Sequence, residues 1–213
     1  MVRSNLAIVI PACNEAITIG EIVRAVSPFG QAIVIDDCSH DKTATIADDN
    51  GAIVVSNPNN QGYDRSLNNG FITADEHGFE YIITFDADGQ HPADYIPRFV
   101  ELLDDGNDVV VGERQKKQRV SEYIFGWVMR LKYGVADPLC GMKAYRVKVF
   151  HRLGWFDSYG SIGTELVLYA LKNRLRVVTV SIPSKERVDQ PRLGNFSGNI
   201  KIFRAMFLGF FRP

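Results

Sequence analysis

Two carboxylates and a carboxamide, Asp86, Asp88 and Gln90, follow at once on the apolar run Tyr81-Ile82-Ile83-Thr84-Phe85 and are closed off by His91-Pro92. Asp and Gln offer hard oxygen donors, a set that suits Mg2+ or Mn2+ with phosphate oxygens completing the shell. On extended backbone alternate side chains point the same way, so the three are expected to converge on one cation. The other reading of Asp-Ala-Asp-Gly is a plain acidic turn. Polar groups also follow two further apolar runs: Pro11, Asn14 and Glu15 follow 6–10, and Asp36-Asp37 end 32–35.

Elements that would position these groups can be read from periodicity. Strands are expected at 6–10, 32–35, 52–55, 81–85 and 108–111, each a short β-branched run bounded by turn residues. Helices are expected between them: one opening at Asn14-Glu15 with Ile17, Ile19, Ile22, Val23 and Val26 on its buried face, then 39–50, 63–75 and 93–103. Beyond Gly112 the alternation loosens into a helix at 121–133, a short strand at 143–145, a helix at 164–172 and a strand at 177–182. The pattern predicts an α/β fold with a mostly parallel central sheet sandwiched by helices. In such sheets ligands bind outside the carboxyl ends of the strands, where the acids stand.

A chain of 213 residues has room for one such domain. A formal net charge of −1 with 23% charged residues carries no nucleic-acid footprint. Cys13, Cys38 and Cys140 are odd in number and far apart, as expected of reduced thiols in a cytoplasmic protein. Residues 1–5 offer neither a signal peptide nor an anchor, and no apolar run reaches membrane-spanning length. Residues 200–211 are apolar nearly all round, broken by Lys201 and Arg204 and followed by Arg212. That mix suits a helix lying on a membrane interface, making peripheral contact with its cytoplasmic face. Docking on the core or on a second subunit, in a homo-oligomer, stays open beside it. The basic stretch Gln115-Lys116-Lys117-Gln118-Arg119 reads as a solvated connector, with a phosphate or headgroup contact as the alternative. His91 is expected behind the donor set or facing solvent. Neither a GxxxxGK[ST] loop nor a GxGxxG fingerprint is present.

Several stretches together resemble family 2 glycosyltransferases of the GT-A fold, and within them the dolichol-phosphate mannose synthase and polyprenyl-phosphate glycosyltransferase branch. They are Ile10-Pro11-Ala12-Cys13-Asn14-Glu15, residues 34–43 around Asp36-Asp37, Asn60-Gln61-Gly62 with Gly70, residues 85–92, Val111-Gly112-Glu113-Arg114, and residues 137–146. The resemblance implies a single domain. Residues 1–113 would bind a nucleotide sugar, 114–198 would face the acceptor, and 199–213 would form an apolar and basic C-terminal helix. It further implies a metal-dependent, inverting transfer from a UDP- or GDP-linked sugar to a polyprenyl or dolichyl phosphate or a glycan.

Residue by residue, the resemblance places Pro11 and Glu15 at the base and ribose, with Asp36 and Asp37 beside them. It places Asp86, Asp88 and Gln90 at the metal, Asp86 and Ala87 along the bound nucleotide sugar, and Arg114 at the diphosphate, with Asp88 catalytic. Glu165, or else Asp137, would serve as base toward a hydroxyl acceptor; an anionic phosphate acceptor needs none. Cys13 stands where the family often has an aromatic residue. Arg187 and Arg192 supply the charges of a late segment that closes over the diphosphate, without its Gly and Ser. Two other readings remain: a non-catalytic nucleotide-sugar-binding module or partner subunit, and an Asp-x-Asp phosphatase, whose motif would follow the first strand rather than the fourth.

Overall fold

Successive side chains of a strand point to opposite faces, so strands that are apolar throughout demand cover on both sides of their sheet. The computed structural model describes residues 3–117, 119–183 and 195–211. Its strands are β1 (Leu6–Ala12), β2 (Gln31–Asp36), β3 (Ile53–Ser56), β4 (Tyr81–Thr84), β5 (Val109–Arg114), β6 (Lys143–Arg146) and β7 (Val177–Ile182). They form one sheet in the order β3-β2-β1-β4-β6-β5-β7. All pairings are parallel except those of β6, which runs antiparallel to both β4 and β5.

The helices are α1 (Ile19–Val26), α2 (Thr43–Asp49), α3 (Tyr63–Glu76), α4 (Ile96–Asp104), α5 (Val120–Tyr133), α6 (Val147–Leu153), α7 (Glu165–Lys172) and α8 (Asn195–Phe211). One core packs Leu6, Ile8 and Ile10 of β1 against Ile19, Ile22 and Val23 of α1 and Phe99 of α4. The opposite face packs Ala7 and Val9 against Leu67 and Phe71 of α3 and Leu166 of α7. Phe71 anchors that side, its ring centroid 4.7 Å from Phe156 and 5.4 Å from both Tyr145 and Phe150. A third, smaller core joins Phe125 and Met129 of α5, Leu168 of α7 and Ile202 of α8.

Register decides where the chemistry gathers. Ala12 lies opposite Asp36 and Val9 opposite Thr84, so the polar ends of β1, β2 and β4 emerge side by side. The chain leaves β1 toward β2 on one side, while β4 lies on the other, which makes this the switch point where an open α/β sheet forms its crevice.

The structure departs from the expected elements in three places. Ile17 is 89% exposed and precedes α1 rather than sharing its buried face. The reason is local: the amides of Asn14, Glu15 and Ala16 donate to Ser39 Oγ (2.8 Å), Thr43 Oγ1 (2.8 Å) and Asp41 Oδ2 (3.2 Å), which holds the segment as a loop. Helix α6 was not expected, because Val147-Lys148-Val149 alternates like a strand. The stretch after 112 supplies β6 as the one antiparallel strand among the described residues.

Gly70 sets how closely α3 approaches the sheet: a Cβ there would lie 2.2 Å from Val9 Cγ1. Alanine favours helices over glycine by about 1 kcal/mol, yet the clash predicts that Gly70→Ala destabilises the fold by about 1–3 kcal/mol. Urea unfolding of the variant checks this; equal or higher stability would refute the close approach.

Candidate active site

β4 ends at Thr84, whose hydroxyl donates to the Gly141 carbonyl at 2.6 Å. The chain then leaves the ladder and turns, so residues 86–90 are not the extended run expected. Asp88 Oδ1 accepts the Gln90 amide at 3.0 Å, a side-chain-to-backbone turn that an extended strand cannot make. Ala87 is held by Thr18, whose hydroxyl donates to its carbonyl at 2.8 Å. Asp86 accepts one hydrogen bond on each oxygen, from Tyr63 Oη (3.1 Å) and His91 Nε2 (3.0 Å). His91 is buried behind it, its ring edge-on to Phe85, rather than facing solvent. Burial pushes the Asp86 carboxyl up, but His91, Tyr63 and the charge of Lys143 outweigh it and hold the group below the ordinary carboxylate range. Gly141 makes room for this carboxylate: a Cβ there would sit 1.8 Å from Asp86 Oδ2.

At the ends of β1 and β2 the acids take different positions. Pro11 and Glu15 line the same cavity as Asp86 and Asp88. Asp37 is buried, and its carboxylate accepts the amides of Gln61 (2.8 Å) and Gly62 (2.7 Å) and the Asn57 side chain (2.8 Å). It therefore clamps the 57–62 loop to the sheet edge and sets where α3 begins. Asp36 is buried with Oδ1 unpartnered, and it stands behind the cavity wall.

Arg114 lines the cavity from the end of β5. Its Nε and Nη2 donate to Asp137 at 2.7 and 2.9 Å, and Nη2 also reaches Glu122 Oε2 at 3.1 Å. Burial works against its charge, but the bond and charge of Asp137 overcome this and raise its pKa. Asp137 is itself buried and does not reach the cavity; it fixes the guanidinium plane. Glu165 accepts the Ser158 amide and, at 2.9 Å, the Ser158 hydroxyl, so it buttresses the cavity wall from behind. Arg187 and Arg192 lie outside the described residues.

Three groups not anticipated complete the site. Asp157 gathers the amides of Tyr159, Gly160, Ser161 and Gly163 at 2.8–3.2 Å, which folds the 157–163 loop around one carboxylate. Asp64 lines the cavity from the first turn of α3 and accepts the Ile162 amide at 3.3 Å, while its Oδ1 is buried without a partner. Burial and the nearby Asp157 charge push its pKa up to about 6. A carboxyl titrating there can accept a proton from a bound hydroxyl near neutral pH. Lys143 is fully buried on β6, donating to the Gly163 carbonyl at 3.1 Å, and burial lowers its pKa. Asp64 had a sequence signal, an acid two residues after a glycine that opens a helix. Asp157 and Lys143 were not singled out: Asp157 reads as an ordinary turn acid beside its local partners at 159–163, and the partner of Lys143 at Gly163 arrives only on folding.

The cavity encloses about 840 Å3 and is walled on its far side by Arg119, Lys201 and Arg204. Among the described residues no three His, Cys, Asp or Glu side chains are gathered as a metal site. The donor chemistry at 86–90 nevertheless fits a hard cation. Asp86 is held ionised and each of its oxygens keeps a lone pair beyond its single hydrogen bond, with Asp88 and Gln90 on the same turn. Such a set leaves positions for phosphate oxygens.

The profile described as Glycosyl transferase family 2 matches residues 7–154. The chain is 29% identical over 215 residues to the dolichyl-phosphate hexose transferase of Haloferax volcanii, covering 95% of this chain and 92% of that protein. It is 27% identical over 232 residues to the polyprenol monophosphomannose synthase of Mycolicibacterium smegmatis, covering 94% and 83%. In three dimensions it resembles glucosyl-3-phosphoglycerate synthase of Mycobacterium tuberculosis, crystallised with Mn2+, uridine diphosphate and phosphoglyceric acid. The TM-score is 0.81 at 21% identity, over 99% of this chain and 80% of that one, a likeness of fold.

The Asp64 environment has a pH signature. Its native pKa of about 6 exceeds the ordinary 3.8, so native protein binds the proton more tightly than unfolded chain. The favourable contribution is complete below about pH 4 and is lost as pH rises through 6. Asp64→Asn should therefore be more stable than wild type at pH 8, by about 1–3 kcal/mol, with the gap closing at pH 4. Urea unfolding at both pH values tests this, and a gap that does not change with pH would contradict it.

Proposed function

Because the chain belongs to glycosyl transferase family 2, we propose that it moves a sugar, with inversion, from a nucleoside-diphosphate donor to a polyprenyl or dolichyl phosphate in a reaction that needs Mg2+ or Mn2+. The observation that carries this reading is the single cavity on which the 86–90 turn, Pro11, Glu15 and Arg114 all open. In this reading residues 1–113 serve the donor and 114–198 the acceptor, and Lys201 and Arg204 of the C-terminal segment 199–213 line the far wall. The named activities of the two similar transferases, one dolichyl-phosphate and one polyprenol-linked, support the acceptor class.

In this reading Pro11 and Glu15 meet the nucleoside, with Asp36 and Asp37 acting from behind through the strand end and the 57–62 loop. Asp86, Asp88 and Gln90 would hold the cation, which when bound offsets charge on the diphosphate. An acceptor phosphate oxygen attacks the anomeric carbon, the bond to the diphosphate oxygen breaks, and the nucleoside diphosphate departs with the electron pair. Arg114, oriented by Asp137, faces that growing negative charge. An anionic acceptor supplies its own nucleophile and needs no base. A hydroxyl acceptor would draw on Asp64, which lines the cavity, more readily than on Glu165 or Asp137, which stand behind its wall. The protein would work at the cytoplasmic face of a membrane, and no helix among the described residues is long and apolar enough to cross one.

Isothermal titration with UDP and with GDP, each with Mn2+ and with EDTA, tests the donor site. One nucleotide is expected to bind only with the metal present, and Asp88→Ala should weaken it about tenfold or more. Failure of both nucleotides to bind folded protein would overturn the reading.

A further inference from the structure

Helices α5 and α8 lie side by side and run in the same direction. Ser121 Oγ meets Asn199 Oδ1 at 2.5 Å near one end, and Lys132 Nζ lies 4.9 Å from the Phe210 ring near the other. The two contacts are eleven residues apart on each helix, a parallel register. Below the seam, Phe125, Met129 and Ile202 join the third core. Above it apolar side chains of both helices stand exposed. At about 100° per residue, the arc of α8 just past the seam carries Phe203, Phe207 and Phe211, and the matching arc of α5 carries Ile124, Trp127 and Leu131. Trp127 is 65% exposed, Leu131 68%, Phe207 62% and Phe211 76%. Val120, Tyr123 and Ile200 extend the same exposed surface. A contiguous apolar patch on this scale marks a surface that meets a partner.

Charge selects the partner. The sole acid on α5 is Glu122, which is buried against Arg114, and α8 has none. The exposed charges of the two helices, Arg130, Lys132, Lys201 and Arg204, are all cationic in a chain whose net charge is −1. Aromatic and aliphatic side chains rimmed only by cations are complementary to the headgroup layer of an anionic bilayer. The same helices also wall the cavity, through Glu122 of α5, with Arg119 just before it, and Lys201 and Arg204 of α8.

We propose that the α5/α8 face docks on the surface of a membrane containing anionic lipids and sets the cavity mouth at headgroup level, where the acceptor phosphate enters beside Arg119, Lys201 and Arg204. The delivery step rests on the lipid-phosphate reading given above; the docking step does not. α5 thereby carries as much of the contact as the C-terminal helix. The phosphate end of the acceptor reaches the cavity while its hydrocarbon chain stays in the bilayer.

Cosedimentation with phosphatidylcholine vesicles, with and without phosphatidylglycerol, tests the docking. Binding should be strong only with phosphatidylglycerol and should fall with added salt. Lys132→Gln should weaken it about fivefold, the effect of one cation at an anionic leaflet. The double variant Trp127→Glu, Phe207→Glu should lose about tenfold or more while binding nucleotide and Mn2+ as wild type does, which shows that it is folded. Two outcomes would overturn the proposal. One is that wild-type protein ignores the vesicles, or binds them as well as the double variant does. The other is a dimer in solution that the double variant dissociates, with vesicles ignored, which would assign the face to a second copy. Vesicle binding by wild type without nucleotide binding would uphold the docking and sink the donor reading alone.

Discussion

The site depends on one constraint, the parallel pairing of β1 with β2 on one side and β4 on the other in a register that brings their carboxyl ends level. Side chains alternate along a strand, so a one-residue slip of any of the three would turn its side chains to the opposite face of the sheet and carry its polar end out of line with its neighbours. With the ends level, the loops lock to each other across strands. Ser39 and Thr43 hold the amides of Asn14 and Glu15, Asp37 holds those of Gln61 and Gly62, and Thr18 holds the carbonyl of Ala87. Four segments separated in sequence thus become one rim, held by these hydrogen bonds above the buried apolar pairing of the strands.

Below the rim sits an unusual density of buried charge. Lys143, Asp137 and Glu122 are almost wholly removed from solvent, and Arg114 and Asp86 are partly so. Taking such groups out of water costs more than their mutual attraction returns unless every donor and acceptor is matched. The two-pronged grip of Asp137 on Arg114 and the contact of Lys143 with Gly163 supply part of that matching. An apolar cluster of equal volume would give at least as much stability. What the charged version adds is orientation: a guanidinium held in one plane at the cavity wall, and an Asp86 carboxylate that His91, Tyr63 and the charge of Lys143 together keep ionised.

The sheet was legible because its first half is built of uninterrupted β-branched runs, and strand ends carrying Pro11, Asp36-Asp37 and Asp86 announce themselves by composition. Roles were less legible than positions. Asp37 and Asp137 read as ligand-site acids in one dimension; folding adds that one clamps a loop and the other an arginine, because their partners at 61–62 and 114 arrive only then. The turn at 86–90 departs from an extended strand for a similar reason. Asp88 bonds to the backbone two residues on, and that choice competes locally with the ladder. Asp64 escaped notice because its character comes from burial and from Asp157, neither of which spacing reveals.

The parallel register of α5 and α8 has an electrostatic consequence. Peptide dipoles align along a helix, so two neighbours running the same way set like poles side by side, an arrangement that repels where antiparallel neighbours would attract. Both positive poles lie at the cavity, since Arg119 and Glu122 open α5 there and Gly198 and Lys201 stand in the early turns of α8. An anion seated across these two ends relieves the repulsion as it binds.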